Sequence, residues 1–259
     1  MGTLQVKGFP AAVSFLTRLR VREAVEGRGD LARSVPWFPV VGAILGLGVA
    51  GVYAAARLAL PSLVAATLAV CVAVFLTGAF HEDGLADTAD ALGGGWSREE
   101  ALRILKDPTH GTYGVLAIVL SVLLRVGAMA TLDGWAALAV LPAAHALSRA
   151  AAVGLLGWVS PATEEGLGAA YSASASRRLA RWAGAVGLVI GLGSLGAWVL
   201  PAALLVSLGA AGVGRLGVRN MSGVTGDLLG AAQQAGEVLV LLLGAAAISN
   251  GWPGLPWWR

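Results

Sequence analysis

The sequence predicts an all-α fold, a polytopic helical membrane bundle of about seven transmembrane helices with an amphipathic helix at the N-terminus. Three observations predict it. Of the 259 residues, 57% are hydrophobic and only 13% charged, about half of the roughly 25% charge of a soluble domain. The mean hydropathy is +0.76. Apolar stretches near the ~20 residues that cross a bilayer recur along the chain, and in lipid only helices or closed barrels satisfy every backbone polar group. No polar segment is long enough to fold alone, so residues 1–259 are read as one integral membrane domain.

Residues 1–35 carry Lys7, Arg18, Arg20, Arg22, Arg28 and Arg33 against three acids. Within them FPAAVSFLTRLR reads as a short amphipathic helix on the membrane surface. It is not a cleavable signal, because its charges follow the apolar part and no small-residue cleavage site comes after. Val6 stands where a myristoylation signal needs Ser or Thr.

The spans are predicted at about 36–60, 62–81, 112–132, 134–158, 181–199, 201–218 and 225–249. Pro61 and Pro201 divide what would otherwise be over-long helices. Leu132-Asp133-Gly134 is the turn between the third and fourth. Lys and Arg concentrate at alternate connections: six before the first span, three in the acidic loop, three at the start of 181–199 (Arg177, Arg178, Arg181) and two at the end of 201–218 (Arg215, Arg219). The positive-inside rule then puts the N-terminus and the acidic loop in the cytoplasm. The C-terminus falls outside, with Trp252, Trp257 and Trp258 as an interfacial anchor. A net charge of +3, scattered along the chain, argues against nucleic acid. The single Cys71 permits no internal disulfide and reads as a small buried hydrophobe.

One stretch breaks the apolar pattern. His81 to Gly114 holds Glu82, Asp83, Asp87, Asp90, Glu99, Glu100 and Asp107, seven of the fifteen acids. Asp83, Asp87 and Asp90 stand at i, i+4 and i+7, one face of a helix. Carboxylates that close repel and lose hydration unless a cation sits among them. Hard oxygen ligands suit Mg²⁺ or Mn²⁺. The alternative is a solvated acidic face, which the long apolar flanks disfavour.

Further charges lie inside predicted spans, where a central Arg or Asp costs roughly 2.5–3.5 kcal/mol on insertion scales. Arg57 lies near a span end and can snorkel. Arg125 is deeper. Arg149 follows His145 by four residues on one helical face and reads as a phosphate or carboxylate clamp, or else as the partner of an acid on another helix. Asp227 and Glu237 occupy the last span. The Gly-Val-Thr-Gly turn before Asp227 offers the free N–H groups of a helix start, with Thr225 beside them, to a phosphate. The alternative is a glycine hinge with Asp227 as N-cap.

HEDGLADTADALGG, ILKDPTHGTYG, LSR at 147–149 and SGVTGDLLGAAQQAGEV together resemble the cobalamin synthase (adenosylcobinamide-GDP ribazoletransferase) family, in the family's order. FLTRL and PWFPVVGAILG fit the same pattern, so the resemblance spans nearly the whole chain. It implies a Mg²⁺-dependent transferase embedded in the cytoplasmic membrane of a bacterium or archaeon, its site facing the cytoplasm. Such an enzyme joins adenosylcobinamide-GDP to α-ribazole or its 5′-phosphate and releases GMP. On this reading Asp83, Asp87 and Asp90 hold one or two Mg²⁺ ions, with Asp227 completing the site and Glu82 an extra ligand. Lys106, Arg125 and Arg149 offset phosphate charge, with His145 and Thr225 on the substrate side. His81 or one of the aspartates is the base. Membrane lipid is the other expected partner, and a homo-oligomer is compatible with the sequence.

The chain departs from the pattern at RLRVREAVEG, where the family has an RLPVP-like segment, and at Pro108-Thr109-His110, which has no assigned role. CDP-alcohol phosphotransferases are the nearest rival, but after Asp83-Gly84 their Ala-Arg pattern is missing. Membrane prenyltransferases need two Asp-rich motifs. A transporter would use Arg149, Asp227 and Glu237 as coupling sites.

Overall fold

The computed structural model describes residues 8–19, 21, 33–164 and 176–258. The described residues form ten α-helices and no sheet: α1 Gly8–Leu16, α2 Phe38–Ala56, α3 Ser62–Thr77, α4 Phe80–Gly94, α5 Arg98–Ile104, α6 Thr112–Ala130, α7 Gly134–Trp158, α8 Arg177–Leu195, α9 Val199–Met221 and α10 Gly226–Ser249. Leu63, Leu68, Phe75, Leu116, Leu120, Leu123, Leu204 and Leu208 are all exposed, while Arg125, Arg149, Glu82 and Glu237 are buried. An apolar exterior around a polar interior suits lipid, not water.

Helix α7 is the axis of the bundle. Most of its positions are buried, and alanine recurs along it. A helix of small residues lets several neighbours approach closely at once. Gly46 of α2 lies where a Cβ would be 2.5 Å from the Leu141 carbonyl oxygen. Asp133 caps the start of α7 by accepting from the Ala136 N–H at 2.7 Å, which makes the predicted 132–134 turn a capped helix start.

By length and composition five helical runs can cross a membrane, or six if the bent α3–α4 pair is one span. Residues 177–221 form one helical run of 45 residues, about 68 Å at 1.5 Å per residue and far too long for a single crossing. The neighbours show that it folds back. Along α8, Ala180 meets Gly157, Gly187 meets Ala150 and Gly191 meets Leu147, so α8 runs antiparallel to α7. Along α9, Val206 shares a contact point with Ser148 and Gly214 meets Leu155, so α9 runs parallel to α7. The reversal is at Gly196, with φ +57°, a conformation glycine adopts without a steric penalty. Pro201 was the predicted break, yet it sits in the first turn of α9, where its missing N–H would have no partner anyway. Pro61, by contrast, directly precedes α3 as its N-cap.

The other difference lies at residues 62–81. The apolar helix α3 ends at Thr77, and the chain turns by 89° into α4. Gly78 and Ala79 make the turn with φ of 68° and 59°. The acidic motif thus sits on a helix of its own. Helix α4 crosses α10 closely: a Cβ on Gly84 would lie 2.8 Å from the Asp227 carbonyl oxygen. Glycine at 84 is what lets the two acidic helices touch.

The N-terminal helix ends at Leu16, short of the predicted Arg20. Ala12 and Leu16 pack with Val35, Phe38 and Val153, so α1 lies against the bundle and not only on a lipid surface. Most of RLRVREAVEG falls outside the described residues. Cys71 is exposed on α3, not buried, and its face of that helix carries other exposed apolar residues.

Candidate active site

Helices α1, α2, α4, α5, α7 and α10 enclose a cavity of about 280 Å³. His81 and Asp83 reach it from α4, Lys106 from the end of α5, Arg149 from α7, and Thr225, Asp227 and Gln233 from α10 and its entry turn. Phe15, Phe38, Phe80, Leu156 and Leu229 make the rest largely apolar. The α10 entry is held firmly. Ala162 donates to the Val224 carbonyl at 2.9 Å and Val224 to that of Ser160 at 3.0 Å, while Arg98 donates to the Met221 and Ala162 carbonyls. The N-cap is Thr225, whose hydroxyl accepts from the Leu228 N–H at 3.2 Å. Asp227 is therefore not the cap but a first-turn residue, where the helix dipole favours a carboxylate.

Beside the cavity, Asp83, Asp87 and His110 bring one ligand atom each within 4.8 Å of one another. His110 Nε2 is 3.6 Å from Asp83 Oδ1, and His110 Nδ1 is 3.3 Å from Asp87 Oδ1. Asp90 is not brought into this group. It shares their helical face but lies two turns beyond Asp83, about 10 Å along the axis. There it accepts from the Gly111 N–H at 2.7 Å and the Gly114 N–H at 2.9 Å, so it anchors the loop that carries His110. A Cβ on Gly111 would lie 2.6 Å from that carboxylate. The glycines of the GTYG motif are thus the cost of the clamp. On the other side of His110, the Asp107 carboxylate accepts from the Thr109 hydroxyl at 2.6 Å and the Thr109 N–H at 3.0 Å. The hydroxyl, and then the N–H, hold the Asp107 carboxyl below its ordinary range.

Glu82 faces the other way. Its Oε1 pairs with Arg125 Nη1 at 2.9 Å, both side chains buried. Arg125 also reaches Glu237 Oε1 at 3.4 Å. Glu237 Oε2 accepts from Gln233 at 2.7 Å and lies 3.2 Å from His145 Nδ1 and 4.0 Å from Arg149 Nη1. Arg149 also donates to the His145 carbonyl at 3.0 Å. Two arginines and two glutamates from four helices therefore balance inside the bundle, the arrangement a low-dielectric interior demands. Glu82 is a partner of this network, not a ligand beside Asp83. Arg125 and His145 belong to the network and do not line the cavity. Arg149 does both.

The cobalamin-5-phosphate synthase family model matches residues 8–245. The chain belongs to that family. An adenosylcobinamide-GDP ribazoletransferase of Bradyrhizobium diazoefficiens is 42% identical over 239 residues, covering 91% of this chain and 92% of the relative. Enzymes of the same name from Ralstonia nicotianae and Shewanella frigidimarina are 39% and 37% identical, over 89% and 92% of this chain and 91% and 94% of their own lengths. No solved structure matches.

Within this member of the cobalamin-5-phosphate synthase family, the sequence-predicted His81, Asp83, Lys106, Arg149, Thr225 and Asp227 meet at one cavity, with Asp87 adjoining Asp83 through His110. His110 is the residue that sequence reasoning missed. The signal for it was indirect: two glycines three apart just after it, whose N–H groups need an acceptor, and Asp90, one turn past Ala86, read as a cation ligand and not as that acceptor.

Proposed function

We propose that the protein is an adenosylcobinamide-GDP ribazoletransferase that uses a divalent cation and faces the cytoplasm from the cytoplasmic membrane. The observation that carries this is the meeting of Asp83, Asp227, Lys106, Arg149 and His81 at one cavity in a chain of this family. The donor's diphosphate calls for positive charge at a fixed place, since phosphoryl transfer depends mainly on positioning and electrostatics. Lys106 and Arg149 supply it from the protein. The buried Arg149 Nε has no hydrogen-bond partner among the described residues, so it can donate to a phosphate oxygen with the strength of a charged pair.

Asp83 and Asp87 fit a divalent cation on their own geometry, with ligand atoms within 4.8 Å of the kind Mg²⁺ accepts beside substrate phosphates. A bound Mg²⁺ supplies charge neutralisation to the diphosphate. Asp227, close enough to interact electrostatically with Asp83, adds a carboxylate from the opposing helix. The acceptor's ribose hydroxyl loses its proton to His81 or to one of the aspartates. Its oxygen bonds to the cobinamide-linked phosphorus, the P–O–P bridge breaks and GMP leaves. The apolar walls exclude water that would otherwise compete as acceptor. The alternation of Lys and Arg supports the cytoplasmic side, from which both large substrates arrive.

The test is GMP release by the purified protein given the activated corrinoid, α-ribazole or its 5′-phosphate, and Mg²⁺. A joined corrinoid in equal amount to GMP is expected, with one acceptor giving the higher kcat/KM. No GMP above a protein-free control overturns the reading. A chelator that leaves the rate unchanged overturns the cation's part in it.

A further inference from the structure

We infer that Phe15, Phe38 and Phe80 form the subsite for the flat, apolar base of the acceptor, so that the N-terminal helix α1 takes part in recognising substrate. This rests on the transferase reading above and says which part of which substrate the apolar end of the cavity receives.

The three rings come from α1, from the start of α2 and from the residue just after the α3–α4 turn. They meet at the cavity and hold one another in place. Phe15 stacks on Phe38 with ring centres 5.5 Å apart and planes 8° apart. It meets Phe80 edge to face at 5.1 Å. Both spacings lie in the roughly 4.5–7 Å range of favourable ring pairs. Leu16, Phe38, Val153 and Leu156 belong to one apolar cluster, with Phe15 and Leu229 packed against it, and all six line the cavity. This end therefore offers ring faces, ring edges and methyl groups, and no side-chain donor or acceptor.

Such a wall sorts the groups that the reaction brings together. Guanine carries a carbonyl, an amino group and ring nitrogens, and burying these without partners is costly. A corrin macrocycle is excluded by size: the cavity holds about 280 Å³, just under the roughly 300–1,000 Å³ of drug-sized sites. The methylated benzimidazole of α-ribazole is compact, flat and apolar over most of its surface, so it gains from aromatic contact and leaves little unpaired. Position gives the same answer. The Phe80 and His81 rings are 5.2 Å apart, so the aromatic wall borders the polar end. A base seated there carries its ribose, one glycosidic bond away, toward His81 and Asp83.

The experiment combines calorimetric titration of α-ribazole into the purified full-length protein in detergent with steady-state GMP release. The acceptors compared are α-ribazole, its unmethylated benzimidazole analogue and the corresponding adenine α-riboside. The wild type is expected to bind α-ribazole and to prefer the acceptors in that order. In Phe15→Ala the acceptor KM should rise roughly tenfold or more, and the preference for the methylated base should shrink. The donor KM and the unfolding midpoint should stay as in wild type. Phe15→Leu keeps the bulk and loses the ring, and a smaller shift in the same direction is expected. If the alanine variant does not fold, Phe15→Leu decides alone: α-ribazole affinity equal to wild type overturns the inference. A rise in donor KM without one in acceptor KM also overturns it, because the wall then receives the donor. A wild type that uses the adenine riboside as well as α-ribazole overturns the subsite while the transferase reading stands. One that binds α-ribazole but releases no GMP with any acceptor overturns the transferase reading and leaves the subsite.

Discussion

Glu82 and Asp83 are adjacent in the chain and opposite in fate. Glu82 is buried against Arg125, while the Asp83 side chain is 63% exposed at the cavity rim. A helix turns by about 100° per residue, so α4 sends one acid into the bundle and the next to the substrate side. The inner region pairs opposite charges with one another, with Glu82 Oε2 and Arg125 Nε and Nη2 left without a hydrogen-bond partner among the described residues. The outer region gathers the Asp83 and Asp87 carboxylates around His110, at 3.6 and 3.3 Å. Arg149 joins the two, because Glu237 lies by its Nη1, its side chain lines the cavity, and its buried Nε has no hydrogen-bond partner among the described residues. The difference teaches that an ion network in lipid can serve as the rigid mount for a site that must itself stay open.

Four substitutions test that division, the largest effect first. Glu237→Ala takes the carboxylate partner from Arg149 and one partner each from Arg125 and Gln233, in the interior. Breaking a buried pair costs about 3–5 kcal/mol, so the unfolding midpoint in detergent should fall sharply. Near-wild-type stability would show that the inner charges are not a unit. Asp83→Asn lies in the open region and should leave that midpoint unchanged, but lower cation-dependent GMP release by about 10²–10³-fold, the scale of losing one preorganised electrostatic contact. Activity within tenfold of wild type would remove Asp83 from the site.

Gly84→Ala sits where the regions meet. Its methyl group would press on the Asp227 carbonyl at 2.8 Å, and overpacking of this kind costs about 1–3 kcal/mol. The helices α4 and α10 should separate slightly, lowering activity and stability together. A loss of only one of them would mean that the crossing does not couple the regions. Asp90→Asn retains one acceptor oxygen and loses the other, at a cost of about 1–2 kcal/mol. Hydrogen exchange at Gly111 and Gly114 should quicken as the loop that carries His110 loosens. Unchanged exchange would show that the loop holds without the clamp.

Much of this was legible beforehand. The apolar spans, the capped turn at Asp133 and the separation of α8 from α9 follow from composition and local turn chemistry, although the reversal falls at Gly196 and not at Pro201. Most of the cavity's polar residues were also named, because charges inside apolar helices stand out in any reading. The assignments that shifted were Glu82, Asp90, Arg125 and His145. Each has the right chemistry for a ligand or clamp and the right helical face or depth. What each one meets depends on a residue 21 to 152 positions away in the chain, and no periodicity records that.

The sequence by itself determined that the chain is a helical membrane protein of this family and which side chains are costly enough to need a partner, because hydropathy and helical spacing are local properties. Only the tertiary structure decided the partners. The 89° turn at Gly78 and Ala79 and the crossing at Gly84 aim the faces of α4, and the Asp90 clamp brings in His110. Pairing energy depends on distance across helices, and distance across helices is fixed only when the bundle packs.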